Sequence, residues 1–297
     1  MTESVAERLK LRPRAFYVAK AAVVRARSIL WLLRSSRSSG PLGLRILFYH
    51  RISDEQDELA VTPRRFREQI AFLAEHGYRA VSVAEAAALI RADKTPERVV
   101  GMSFDDGYRD IVENAMPELE RHGFGATVFV ATGVVDGTSR FEWYERQPPV
   151  LAWDEIVRLA DAGTFEFGAH TVSHRDLLAL DDEGARFEIE ESKRVLEERL
   201  GRPAETFCYP AGLFAERHER LVAGAGFTWA TSCEPGVNSI RTDPFALHRI
   251  QVDRRDTLLD FRAKLAGGHD RSLPLRNLYR NRRYRPAVPE RNPDKPF

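Results

Sequence analysis

Between Arg45 and Leu265 short apolar runs alternate with helical patterns some seven times, and this alternation constrains the fold more than any other feature of the chain. The spacing predicts strands at Arg45–Tyr49, Ala80–Val83, Val99–Phe104, Ala126–Ala131, Phe165–Ala169, Thr206–Tyr209, Thr228–Thr231 and Ala246–Val252. Helices are predicted between them, at Pro63–His76, Val83–Ala92, Asp110–His122, Trp153–Ala162, Asp181–Leu200, Glu216–Ala225 and Thr257–Leu265. Pro63 suits a first helical turn, and Gly77, Gly123, Gly163 and Gly201 each follow a helix as the residue that ends it. Repeated strand–helix units argue for a parallel sheet closed into an α/β barrel. An open doubly wound sheet is the alternative, but no Gly-rich phosphate fingerprint follows any strand. In either architecture, function is expected at the C-terminal ends of the strands.

Charge divides the chain into three parts: a leader and linker (1–40), a barrel (41–267) and a tail (268–297). Residues 1–40 carry nine Lys/Arg against Glu3 and Glu7, a charge of +7, and residues 271–297 carry eight against Glu290 and Asp294, a charge of +6. With a total of +1, the stretch between them carries −12. Such basic arms suit anionic lipid or phosphate-bearing glycolipid, or are simply solvated tails. Nucleic acid is the weakest choice of partner, because the acidic body repels a phosphate backbone. The leader holds a basic, aromatic-bearing helix pattern (Phe16, Tyr17, Ile29, Trp31, Leu32, Leu33), which suits a membrane surface or packing on the body. Its uncharged run from Ser28 to Leu33 is shorter than the roughly 7–15 residues of a secretory h-region. No stretch reaches the roughly 20 apolar residues of a membrane span. Two cysteines, Cys208 and Cys233, make no disulfide framework and suit a reducing compartment. A cytoplasmic or peripheral membrane location is therefore expected. Ser35 to Pro41 reads as a flexible joint, and the tail as irregular.

Two strand ends carry the chemistry. The apolar run Val99–Phe104 ends in Asp105-Asp106-Gly107, so one carboxylate is available to bind a cation while its neighbour acts on bound water. Alone, this segment reads better as an Asp-Asp-Gly turn with an N-cap for the helix at Asp110. The run Phe165–Ala169 ends in His170-Thr171-Val172-Ser173-His174, whose imidazoles at i and i+4 suit a transition metal. Two His and one Asp leave a fourth coordination position open, the pattern of a catalytic rather than a structural zinc site. A cation so held lowers the pKa of its water from about 15.7 toward about 7.

These segments resemble the first two motifs of the polysaccharide deacetylase family, the NodB-like domain of carbohydrate esterase family 4. Phe165–Ala169 before the His pair and Cys208-Tyr209-Pro210-Ala211-Gly212 after it fit as well, and the likeness covers roughly 44–265. The resemblance implies a distorted (β/α)7-8 barrel and a divalent metal, zinc first, with cobalt or nickel as alternatives. It implies Asp105 as general base and Asp106, His170 and His174 as ligands. For the general acid it offers two histidines. His248, near the last strand, matches much of the family. Tyr49-His50, at the end of the first strand, matches the branch containing poly-β-1,6-N-acetylglucosamine deacetylases. His50 is preferred, protonated before attack to serve the leaving amine.

Two departures from the family pattern matter. Cys208 stands where the family usually has an Arg bracing the base, and Arg249 is the candidate to restore that brace. Ala211 stands where an aromatic often follows the proline; its backbone N–H can still serve the oxyanion beside Tyr209, and Trp143 with Tyr144 can supply a wall for the sugar. The expected activity is removal of the N-acetyl group from an N-acetylated amino sugar in a polysaccharide, oligosaccharide or glycolipid, with release of acetate. Alternatives are deformylation or deacetylation of a small or lipid-linked sugar, a carbohydrate-binding barrel with impaired catalysis, and a nucleic-acid binder working through its basic tails.

Overall fold

The computed structural model describes residues 14–34, 43–94 and 97–270. The expected joint at Ser35–Pro41 and the tail from 271 onward lie outside the described residues. A long helix, α1 (Arg14–Arg34), precedes a curled parallel sheet in the order β10-β1-β5-β6-β7-β8-β9. Its strands are β1 (Arg45–Tyr49), β5 (Val99–Phe104), β6 (Ala126–Val130), β7 (Phe165–Ala169), β8 (Thr206–Cys208), β9 (Trp229–Thr231) and β10 (Ile250–Gln251). The expected α/β barrel is present, but in distorted form. Strand β4 (Arg79–Val81) pairs only with the first half of β5, while β6 pairs with its last two residues, Ser103 and Phe104. Between β9 and β10 the ring closes through a single bridge, Thr231 to Leu247. The last strand is shorter than expected: Ala246 lies in a bend, Leu247 makes only this isolated bridge, and Ile250–Gln251 alone pair with β1.

Helices α2 (Pro63–Glu75), α3 (Val83–Arg91), α7 (Trp153–Ala162), α8 (Asp182–Leu200), α9 (Glu216–Gly224) and α10 (Leu258–Leu265) follow the predicted spans within a residue or two. Thr62 and Ser82 cap α2 and α3 by accepting N–H bonds from Arg65 and Glu85. The predicted helix over Asp110–His122 is instead two, α4 (Asp110–Asn114) and α5 (Met116–Arg121). Pro117 has no N–H to give and its ring clashes with the carbonyl four residues back, so the helix breaks before it. A short parallel pair, β2 (Arg51–Ile52) with β3 (Ala60–Val61), and a one-turn helix, α6 (Thr132–Val135), were not foreseen.

Side chains alternate across each strand, so one residue in two points into the barrel. Leu47, Tyr49, Met102, Phe104, Val128 and Val130 face the helices and form the main core. Ile46, Phe129, Cys208, Trp229 and Leu247 belong to a second cluster, inside the sheet. The same period sends Phe48 and then His50, Ser103 and then Asp105, Gly168 and then His170 toward the interior. Burying each large apolar side chain contributes about 1.5–3 kcal/mol. Gly168 lies where the interior is tightest: a Cβ there would sit 2.4 Å from Thr206 Oγ1 and 2.6 Å from the Phe129 ring. Gly168→Ala is therefore expected to cost about 1–3 kcal/mol by overpacking, read as a lower urea midpoint at unchanged m-value; an unaltered midpoint would show that the interior yields there.

Candidate active site and metal centre

Asp105 and Asp106 are adjacent in sequence and both 2% exposed, yet their surroundings differ completely. Asp105 continues the inward alternation of β5 and meets Arg249, whose Nη1 and Nη2 donate to its two oxygens at 2.6 and 2.8 Å. Arg249 is itself fully buried, lies over the Phe48 ring at 4.4 Å and donates to Ser103 Oγ at 3.0 Å. Burial pushes the Asp105 carboxyl up, but the Arg249 charge and hydrogen bonds outweigh it and hold the group below the usual carboxylate value. Cys208 cannot brace a carboxylate as an Arg does. Its Sγ lies 3.0 Å from Arg249 Nη2, so it packs against the brace that arrives from the opposite edge of the sheet.

Asp106 has no such partner. Its backbone turns left-handed at φ 74°, which swings the carboxylate away from Asp105 and toward the two imidazoles. Oδ1 has no hydrogen-bond partner and lies 3.6 Å from His170 Nε2 and 3.4 Å from His174 Nε2. His170 Nδ1 lies 2.7 Å from the Cys208 carbonyl, which can only accept, so Nδ1 carries the proton and Nε2 presents its lone pair to Asp106. Burial lowers the His174 pKa far below its ordinary value, so its ring is neutral. Three acceptor atoms converging without donors between them are what a cation requires. Tetrahedral zinc with ligands at about 2.0–2.1 Å spaces its vertices about 3.3–3.4 Å apart; the 3.4 Å separation matches this and the 3.6 Å separation lies slightly beyond it. Asp105, His170 and Cys208 form a second cluster of ligand-type atoms. There the guanidinium of Arg249 already supplies the positive charge and repels another.

The His loop is held in a strained form. Among the described residues six non-glycines have positive φ, and four of them, Asp106, Thr171, His174 and Ala211, are at these strand ends. Each such residue costs on the order of 1–3 kcal/mol, most for β-branched Thr171. Glu188 of α8, missed by the sequence reading, helps to offset this cost. Its carboxylate accepts the N–H groups of Val172 and Ser173, both at 2.9 Å, and the Ser173 hydroxyl. Thr171 Oγ1 accepts the His174 N–H at 2.9 Å. The signal was present but faint: Glu188 falls on the buried stripe Ala185–Ile189–Ser192–Leu196, whereas its neighbour Phe187 is exposed.

His50, half-buried, faces the same interior, with its ring edge-on to Phe48 at 5.8 Å. Burial lowers its pKa to about 4 despite the opposing Asp105 charge. The expectation that it is protonated before attack therefore requires correction: near neutral pH it rests as the free base. His248 alternates to the other face from Arg249, packs beside Gly236 and pairs its backbone with the Asn238 side chain. It is not part of this cluster. Tyr209 also turns outward, stacked on Phe214 at 4.2 Å within the main core, so only its backbone borders the rim. Ala211 is exposed there in a tight turn. Trp143 lies edge-on to His174 at 4.9 Å and stacks on Phe141 at 4.7 Å, walling one side of the site. Its neighbour Tyr144 donates to Asp57 at 2.5 Å, and Asp57 accepts from Arg51, which also donates to Asp110. This buried network ties the aromatic loop to the segments following His50 and Asp106.

A family model described as polysaccharide deacetylase matches residues 92–230, a span holding both aspartates, both histidines and Cys208. Over that span the chain is similar to polysaccharide deacetylases. YxkH of Bacillus subtilis is 27% identical over 217 residues, covering 73% of this chain and 74% of that protein. The poly-beta-1,6-N-acetyl-D-glucosamine N-deacetylase of Staphylococcus aureus is 23% identical over 214 residues, covering 69% and 72%. A Streptococcus pyogenes deacetylase solved with acetate shares the fold at a TM-score of 0.68 and 22% identity, covering 76% of this chain and 99% of that one. His50 and Arg249 fall outside the span that the family model matches.

Burial, with the like charge of Asp105 adding to it, pushes the Asp106 carboxyl up to about 7 while no cation offsets it. A proton and a cation then compete for the same oxygen, so affinity must fall as pH drops through that value. Calorimetric titration with zinc is expected to give about tenfold weaker binding at pH 6 than at pH 8, with proton release on the acid side. Equal affinity at both values would remove Asp106 from the ligand set.

Proposed function

We propose that the chain is a metal-dependent N-deacetylase that hydrolyses the acetamido group of an N-acetylated amino sugar, in a polysaccharide, oligosaccharide or glycolipid, and releases acetate. The observation that carries this reading is the division of labour between neighbouring aspartates, one bound on both oxygens by a buried Arg and one left open to two imidazole lone pairs. Asp106, His170 and His174 would hold the cation, best zinc, which when bound polarises an amide carbonyl and acidifies water. Asp105 stays ionised across the neutral range and accepts the proton of the attacking water. Because Arg249 keeps it a weak base, Asp105 gives that proton up readily. His50, neutral at rest and within the field of Asp105, takes up the proton during turnover and delivers it to the departing amine. The Ala211 N–H donates to the developing oxyanion, and Trp143 offers its face to the sugar ring. Relatives named as N-deacetylases support the choice of bond. The reading as an impaired carbohydrate binder rested on Cys208 and Ala211, and Arg249 supplies the charge that Cys208 lacks.

Acetate release from N-acetylglucosamine oligomers, with formate release from formylated sugars in parallel, tests the proposal. Chelation should abolish turnover and zinc should restore it. Asp105→Asn should keep its zinc yet lose at least about 100-fold in kcat, the scale of general-base catalysis, whereas Asp106→Asn should lose the zinc itself. His50→Ala should fall by a similar factor while His248→Ala keeps full activity. Full activity and equal zinc content in both aspartate variants would refute the assignments, and the opposite ranking of the two histidines would overturn the choice of acid.

A further inference from the structure

Helix α1 turns an unusual face to water for a soluble surface helix. The side turned to the barrel carries the charged and polar residues beside Val24, Trp31 and Leu32. Lys20 reaches Asp253 at 2.7 Å, Arg25 reaches Asp260 at 2.7 Å, and Ser28 Oγ lies 3.0 Å from His269 Nε2, with Ser28 fully buried. Every exposed residue from Val18 to Leu33 is apolar: Val18, Val23, Ile29, Leu30 and Leu33, with three alanines between them. On a helical wheel these eight fall on one continuous face. Leu33 is 74% and Leu30 55% exposed, and five of the eight large apolar side chains exposed among the described residues lie on this one helix. Soluble proteins rarely leave such a stripe in water, and a contiguous one marks an interaction surface.

Charge selects the occupant. Lys20 and Arg25, two of the five Lys/Arg in Arg14–Arg34, are paired with barrel carboxylates, but the helix holds no Asp or Glu and the flanking arms add positive charge. A second copy of the helix, or the basic tail of 271–297, would bring positive charge against positive charge. An anionic surface with an apolar layer beneath it satisfies both halves of the pattern. No helix of the described residues is long and apolar enough to cross a membrane. We infer that α1 seats the protein on an anionic lipid surface, apolar face down, with the acidic barrel held above the headgroups. The helix runs alongside α10 from Lys20, bonded just after β10 at the rim, to Ser28, bonded just after α10 near the base. The catalytic rim is thereby kept beside the lipid and open along it. This inference is independent of the chemistry at the rim.

The full chain, loaded with zinc, should float with vesicles of phosphatidylcholine and phosphatidylglycerol in equal parts and remain behind with phosphatidylcholine alone. Leu30→Glu with Leu33→Glu should lower partition into the mixed vesicles by at least about tenfold, given the apolar area withdrawn from the interface. The same double variant should keep its circular dichroism, melting temperature and acetate release from a soluble oligomer, since both side chains point to solvent. Flotation that survives the substitutions would overturn the inference. So would a wild-type dimer by light scattering that becomes monomeric in the variant while neither protein binds lipid, because a second copy would then be the true cover.

Discussion

The fork between Arg249 and Asp105 is the interaction on which the rest of the site depends. A guanidinium with no solvent exposure is tolerable only because its partner carboxylate, Ser103, Cys208 and two aromatic faces surround it. Removing either charge would leave the other buried and unpaired, a loss of about 3–5 kcal/mol. The fork also fixes electrostatic roles. With its charge spent on Arg249, Asp105 attracts a cation less than it would alone, which leaves Asp106, whose open oxygen has no rival partner, as the better ligand. Two residues of the same type, one bond apart along the chain, thus acquire different chemistry from what faces them.

A second constraint is conformational. The rim is assembled from residues whose backbones sit where glycine is usual, and the surrounding structure must overdetermine them. Glu188 does so for the His loop from a helix on the outside of the barrel, by accepting two backbone N–H groups that would otherwise be left without partners. The cost is met by packing away from the site, which is why the rim can be rigid while its atoms remain unsatisfied and available.

Much of this was legible in the sequence because it follows local periodicities. Strand ends at Tyr49, Phe104 and Ala169 emerged from apolar runs, and the residues just beyond them, His50, Asp105 with Asp106, and His170, fall at the rim for that reason. What stayed hidden depends on which of two neighbours faces inward. Arg249 and His248 are adjacent, and only the register against β1, with Leu47 opposite Ile250, decides that Arg249 points in and His248 out. Tyr209 and Cys208 pose the same question with the same resolution. Glu188 beside Phe187 is the helical version: composition favours burying Phe187, whereas the phase of α8 buries Glu188. The protonation of His50 was unreadable too, because desolvation is a property of the assembled rim and not of the residue. His269 and Asp270, at the start of the expected tail, are anchored, the former beside Ser28 and the latter by a two-bond fork from Arg45.

The narrow seam between β9 and β10 has a bearing on assembly. Asp105 emerges early in the chain, but its counter-charge arrives only after Leu247 has bridged to Thr231 and the following residues have joined β1. Until that last turn of the sheet is in place, the nucleus of the site is a bare carboxylate in an apolar shell, an arrangement that water, not protein, must solvate. Pairing of Asp105 and completion of the ring are therefore a single event, and a barrel halted one strand short has neither a sealed interior nor a neutralised carboxylate at its centre.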